Sequence, residues 1–220
     1  NPAMKKPRQT DTVIQTIMTR IEEGAILPGD HLEEKDIMET CQVSRTPVRE
    51  AFLKLEADGL LTRLPRKGAR LFHPTTDQFL AILEVHAALE AQATELAADR
   101  LSPAQETMLR DCAEACTAFA RHADPARHDA YYELNRRFHA AIAEASQNPY
   151  LIEMIKLNAR KLMAHYRLRY RTPGAIVQSA KEHAVIADHI VQRDGAAARA
   201  AMLAHFNYDR ATVMNMIASV

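Results

Sequence analysis

Three histidines and an asparagine stand on rows that ought to be buried. In YYELNRRFHAAIAEAS, the residues Tyr132, Asn135, His139 and Ile142 recur at spacings of three and four, so a helix would turn all four toward one face. His183 shares such a row with Ile186 and Ile190 in KEHAVIADHI, and His205 shares one with Met202 and Tyr208 in AMLAHFNYDR. A single histidine on an apolar face is ordinarily a hydrogen-bonded core residue, because buried polar groups need partners. Three of them plus an asparagine, on separate helices, invite a shared partner. Neutral imidazole is the commonest nitrogen ligand of metal ions, so a divalent ion is the economical choice. An ion with open coordination positions would take an anionic ligand or activate a water. No HExxH, nucleophile motif or evident general base accompanies these residues, which favours binding over catalysis. Among the ten histidines, His31, His73, His122 and His128 fall in expected loops or near helix ends, where exposure is expected.

A second chemistry lies near the N-terminus, in VSRTPVREAFLKLEADGLL. Val48, Ala51, Phe52 and Leu55 form a helix-burying row, while Arg45 and Arg49 sit four apart on another face. Arg45, Thr46 and Arg49 occupy the first turns, the part of a recognition helix that touches base edges in the DNA major groove. A guanidinium can donate to guanine O6 and N7 together, worth about 1–3 kcal/mol of base discrimination. Shortly after, Arg63, Arg66, Lys67 and Arg70 lie in one short segment without an acidic residue between them. Either feature alone would read as a solvated basic surface; adjacent and in this order, they point to DNA.

Those side chains need particular elements to hold them. A first helix fits Asp11 to Glu23, ended by Gly24, with a turn at Leu27 to Asp30. A short helix comes next, from about Glu33 to Thr40, then a turn at Gln42-Val43. Ser44 is placed to cap the arginine-bearing helix, Pro47 falls in its first turn, and Gly59 closes it. Leu60 to Phe72 alternates, turns at Pro65 to Gly68 and alternates again, the pattern of a β-hairpin. Together these make a winged helix-turn-helix over residues 1–74. Thr75 with Gln78 suits a capping box for the next helix. From there six helical stretches are expected, near 76–99, 103–122, 127–146, 149–171, 175–193 and 195–217. The fold class is therefore mainly α: the winged head, then an all-α bundle of six or seven helices over 75–220.

Composition sets outer bounds. The 220 residues carry 28 basic and 28 acidic side chains, so any nucleic-acid surface must be local. Three cysteines without a CxxC pair argue against a disulfide framework, and Cys112 and Cys116, one turn apart, suit packed thiols. No run of about 18 apolar residues indicates a membrane span, and the N-terminus lacks a signal peptide's apolar core. A cytoplasmic setting is the expectation.

The segment from Ile21 to Leu61 resembles the N-terminal domain of the GntR family of bacterial transcription regulators. The matching marks are Gly24, Pro28-Gly29, Leu32, the Val-Ser-Arg-Thr-Pro-Val-Arg-Glu-Ala run at 43–51, Leu55 and Gly59. The resemblance implies DNA contact from Lys35, Ser44, Arg45, Thr46 and Arg49, and from the wing residues Arg66, Lys67 and Gly68. Residues 75–220 resemble the C-terminal ligand-binding (FCD) domain of the family's FadR-type branch, through AALEAQATELAA, NRRFHAAIAEASQN and EHAVIADHIVQRDGAAARAAMLAHF. Members commonly gather a divalent metal with an acid-x3-His pair and two further histidines, which here are Asn135, His139, His183 and His205. Asparagine replaces the usual aspartate, so the ion would have no anionic ligand and should favour an anion at its open positions. His86 stands where relatives show an arginine that clamps an effector carboxylate; Arg160, Arg167 or His165 could substitute. The two resemblances together imply a dimeric regulator of a palindromic operator. It would sense a small organic acid, with zinc or nickel and a bound carboxylate in the bundle. A metal-free effector pocket is the alternative, and a metal-dependent enzyme fused to a DNA-binding head the remoter one.

Overall fold

The computed structural model describes residues 8–65, 67–208 and 210–218. The chain divides into two compact units, Asn1–Thr75 and Thr76–Val220.

In the first unit, α1 (Gln9–Glu22), α2 (Glu34–Cys41) and α3 (Arg45–Ala57) pack together, with α3 against both others. Their core is Val13, Ile17, Ile21, Ile37, Val48, Phe52 and Leu55, all nearly inaccessible. Gln42 adopts a left-handed conformation (φ 52°) that turns the chain between α2 and α3. Ser44 occupies the N-cap of α3, but its side chain makes no capping hydrogen bond. β2 (Leu61–Leu64) and β3 (Gly68–Leu71) form the expected hairpin. A third strand, β1 (His31–Leu32), pairs antiparallel with β3, giving the order β1-β3-β2. Two residues carry no alternation to read, and only the pairing with β3 defines this strand. It also explains Gly68. At φ +84°, a Cβ there would lie 2.1 Å from the Leu32 carbonyl oxygen, so the close approach of β1 requires glycine.

The second unit is all helical among the described residues. It contains α4 (Thr76–Arg100), α5 (Pro103–Ala120), α6 (His128–Ala145), α7 (Pro149–Arg169), α8 (Ala175–Val191), α9 (Gly195–His205) and α10 (Arg210–Ala218). Local signals fix several starts: a full Ser102–Gln105 capping box on α5, Asn148 accepting from Leu151 N–H on α7, and Asp194 accepting from Ala197 N–H on α9. α4 is central and packs on α6, α7, α8 and α9; α5 packs on α6 and α8. The expected helix 195–217 is instead two helices. No glycine or proline marks the break. Phe206 leaves the helix and packs its ring against His86, His139, His205 and Tyr166; tertiary packing overrides local propensity. His128 is also not exposed. It is 7% accessible because its ring bonds the Pro125 carbonyl on one side and receives Arg171 Nε–H on the other. Cys112 and Cys116 are buried free thiols, and burial raises Cys116 to about 12, which suits packing rather than ligation. No helix among the described residues is long and apolar enough to cross a membrane.

Candidate functional site

The head presents its basic residues as its packing dictates. Val48, Ala51, Phe52 and Leu55 hold α3 inward, leaving Ser44, Arg45, Thr46 and Arg49 exposed. Arg45 and Arg49 are not idle. Their Nε atoms lie 3.3 Å and 3.1 Å from the Glu34 carboxylate of α2, which holds both guanidinium groups together. Lys35, on the next position of α2, is exposed and pairs loosely with Glu39. In the hairpin, Arg63 is tied to Glu56 of α3, whose carboxyl that hydrogen bond holds below its usual range. The wing's free basic character is thus smaller than its sequence suggests. Lys67 is exposed, and Gly68 begins β3. Arg66 lies outside the described residues.

In the bundle, helices α6, α8 and α9 bring His139, His183 and His205 together. One ring nitrogen from each lies within 4.8 Å of the others. His183 and His205 are fully or almost fully buried, and His139 is nearly so. Two of the rings are held from behind by carboxylates. His139 Nδ1 lies 3.3 Å from Glu90 Oε2, and His205 Nδ1 lies 2.6 Å from Glu182 Oε2. A carboxylate on Nδ1 fixes the tautomer and leaves Nε2 with its lone pair, the arrangement that orients metal-ligating histidines. His183 Nδ1 is buried without a hydrogen-bond partner, a cost that an ion would relieve. Three imidazoles of this kind are a donor set suited to zinc or nickel, so the residues present fit a divalent ion.

Asn135 lies one turn before His139 on α6, 8% accessible, and its Oδ1 accepts a 2.8 Å hydrogen bond from the Tyr170 hydroxyl. That hydroxyl also lies 3.3 Å from Ser179 Oγ, which is 3.5 Å from His183 Nε2. The asparagine therefore belongs to a polar network that reaches the histidines. His86 is buried on α4, with Nε2 3.6 Å from Glu90 Oε1. Of the basic residues on α7, Arg167 is bonded to Asp129, His165 packs on Phe79, and Arg160 is half-buried.

Glu90 is a site residue that the histidine spacing does not reveal. It is 2% accessible, between His86 and His139. Burial pushes its carboxyl up, but His139, His86 and His205 together outweigh that and hold it below its ordinary value. A signal for it exists: Leu83, His86, Glu90, Ala93 and Ala97 recur at helical spacing, placing a carboxylate in an apolar row. Its presence alters the charge balance expected from Asn135. An ion at the histidines would face no anionic ligand, but Glu90 and Glu182 would stand directly behind two of them.

Burial also keeps His86, His183 and His205 neutral, as metal binding requires of the last two. It pushes His86 and His205 down to about 4, and His183 well below its ordinary 6.5. On unfolding, each returns toward 6.5, so the unfolded chain binds more protons between those values. The contribution to stability is complete above about pH 6.5 and is lost as pH falls toward 4. Thermal melts of metal-free protein should show the midpoint of the bundle falling steadily through that window. A midpoint flat from about pH 6.5 to 4.5 would mean the rings are not held neutral.

Residues 9–71 match the family of bacterial regulatory proteins, gntR family, and residues 81–208 match the FCD domain. A Bacillus subtilis (strain 168) protein, "Uncharacterized HTH-type transcriptional regulator YdhC", is 30% identical over 84% of this chain and 82% of its own. The "Putative L-lactate dehydrogenase operon regulatory protein" of Escherichia coli (strain K12) is 30% identical over 94% of this chain and 86% of its own. Among solved structures, E. coli McbR/YncC superposes with a TM-score of 0.81, covering 95% of this chain and 98% of that one at 22% identity. With a helix-turn-helix head and a histidine-bearing helical bundle in that order, the chain belongs to the GntR family of bacterial transcription regulators, in the group that carries an FCD domain.

Proposed function

We propose that this regulator binds a palindromic operator as a dimer and senses a small organic acid at a divalent metal held in its bundle. The convergence of His139, His183 and His205 within 4.8 Å, with carboxylates behind two of them, carries this reading. Bound there, a zinc or nickel ion offers open positions to a carboxylate oxygen. The chain's own residues do the rest. Glu90 and Glu182 orient the imidazoles, Asn135 stands beside them as a neutral oxygen donor, and the buried surroundings exclude water. Arg45, Thr46 and Arg49 read base edges, while Lys35, Ser44, Lys67 and Gly68 approach the backbone. One recognition helix covers a half-site, so two-fold pairing through residues 75–220 doubles the contact. An effector can alter DNA binding only by preferring one arrangement of the two heads over another. A relative whose name ties it to an L-lactate dehydrogenase operon supports a hydroxy acid as the first candidate.

The test is operator binding by zinc-loaded protein. Sites selected from random DNA should be inverted repeats, and titrated small carboxylates, L-lactate first, should change their affinity only in metal-loaded protein. Selected sites without two-fold symmetry, or affinity that no carboxylate alters, would contradict the reading.

A further inference from the structure

If the bundle is a carboxylate sensor, it needs a cation to receive the acid, and His86 is a poor one. It is a neutral ring beside the Glu90 carboxylate, and such a pair repels an anion. A positively charged group without a counter-charge among the described residues lies elsewhere. Arg169, the last residue of α7, is 7% accessible. Its Nε is buried with no hydrogen-bond partner. Among the described residues its Nη1 reaches only the Tyr170 hydroxyl, at a long 3.4 Å, and its guanidinium carbon lies 4.3 Å over the Tyr208 ring. No carboxylate among the described residues lies within ion-pair distance of it. Glu182, the acid whose charge it feels, already accepts from His205 at 2.6 Å and Gln178 at 2.7 Å.

A guanidinium stays charged at any ordinary pH. Burying one without an anion is costly, because the lost hydration is not repaid by a counter-charge. Arg169 is also coupled to the histidines. Tyr170 links it to Asn135 and Ser179, and Ser179 to His183. The other basic residues of α7 are placed differently. Arg167 is taken by Asp129, and Arg160, nine residues earlier, lies about 180° around the helix.

We propose that Arg169 is the residue that receives the effector's carboxylate, in place of a cation at position 86. Its unpartnered Nε and its Nη atoms form a fork suited to a carboxylate. The rings of Tyr170 and Tyr208 flank that fork, 5.4 Å and 4.3 Å from the guanidinium carbon. The inference rests on the sensor reading but not on the metal, because the fork needs no ion to hold an acid.

The test measures acetate and L-lactate binding to the full chain, zinc-loaded and metal-free, by titration calorimetry, with acetamide as neutral control. Arg169→Gln should weaken carboxylate binding at least about tenfold, the loss of a charge-assisted hydrogen bond. Arg169→Lys, a point charge without the fork, should weaken it by about threefold. Because an uncompensated buried charge is removed, the ligand-free Arg169→Gln protein should melt no lower than wild type. If wild type takes no zinc, the metal reading fails; Arg169-dependent binding by the metal-free chain would still uphold this inference. Carboxylate binding equal in wild type and Arg169→Gln overturns it, as does no carboxylate binding by either form. If Arg169→Gln fails to fold, Arg169→Lys decides: unchanged affinity overturns the proposal.

Discussion

His183→Ala is expected to abolish tight metal binding and to remove the stabilisation that the metal gives the bundle. His183 is fully buried on α8, its ring is stacked at 4.1 Å on Phe138, and its Nδ1 has no partner. Its ring centroid lies 5.3 Å from that of His139 and 4.9 Å from that of His205. Removing it leaves two imidazoles, fewer than the three protein ligands that hold zinc in a site with an open position. Metal affinity should fall by at least about a hundredfold, and the rise in melting temperature on adding zinc, which mass action makes large for a tight ligand, should vanish. The variant also leaves a cavity beside Phe138, so its metal-free melting point should be lower than wild type as well. The metal-dependent increment is therefore the quantity to compare. Asn135→Asp should act in the opposite direction, adding an anionic donor one turn from His139 and tightening the metal. An unchanged zinc increment in His183→Ala would reduce the histidines to hydrogen-bonded core.

Arg45→Ala with Arg49→Ala should remove sequence-specific DNA binding. Each arginine is exposed on the first turns of α3, and each can discriminate a base pair by about 1–3 kcal/mol. The pair together should cost about a hundredfold or more in operator affinity, with less loss on unrelated DNA. Before binding, both arginines must leave Glu34. That exchange is inexpensive, since exposed ion pairs contribute about 0–1 kcal/mol each. Glu34 has a consequence of its own. Glu34→Gln should raise non-specific affinity several-fold by removing a negative charge from the DNA-facing surface, and should narrow the margin between operator and random DNA. Gel shifts across a range of salt separate these effects. A double arginine variant that binds its operator normally would place the reading surface elsewhere.

How much of the molecule is legible in its sequence depends on how local each cause is. The face of α3 is set by Val48, Phe52 and Leu55 within one helix, and periodicity finds it. The caps at Ser102 and Asp194 are local as well. The rows bearing His139 and His183 point inward and their burial agrees with the same spacing, as does that of Met202 and His205, whereas Tyr208, expected on the His205 row, lies past the end of α9. The meeting of the three histidines is a tertiary fact, which the family resemblance supplies and periodicity cannot. Features set by contacts between distant segments escape. The strand at His31–Leu32 exists through its pairing with β3. The end of α9 is set by Phe206 packing among rings from α4, α6 and α7. Glu34 on Arg45 and Arg49, and Glu90 behind His139, join residues 11 to 49 positions apart. Arg169 is hidden for the same reason. In the sequence it is one of several arginines after residue 159, and its burial without a carboxylate partner among the described residues distinguishes it.

Elemental analysis of this 220-residue chain tests most directly whether the bundle holds a metal. Protein purified without chelator should carry one zinc or nickel ion per chain. Chelator should remove that ion and lower the melting point, and adding zinc back should restore both. Wild-type protein that holds no divalent metal after incubation with zinc and dialysis would contradict the account.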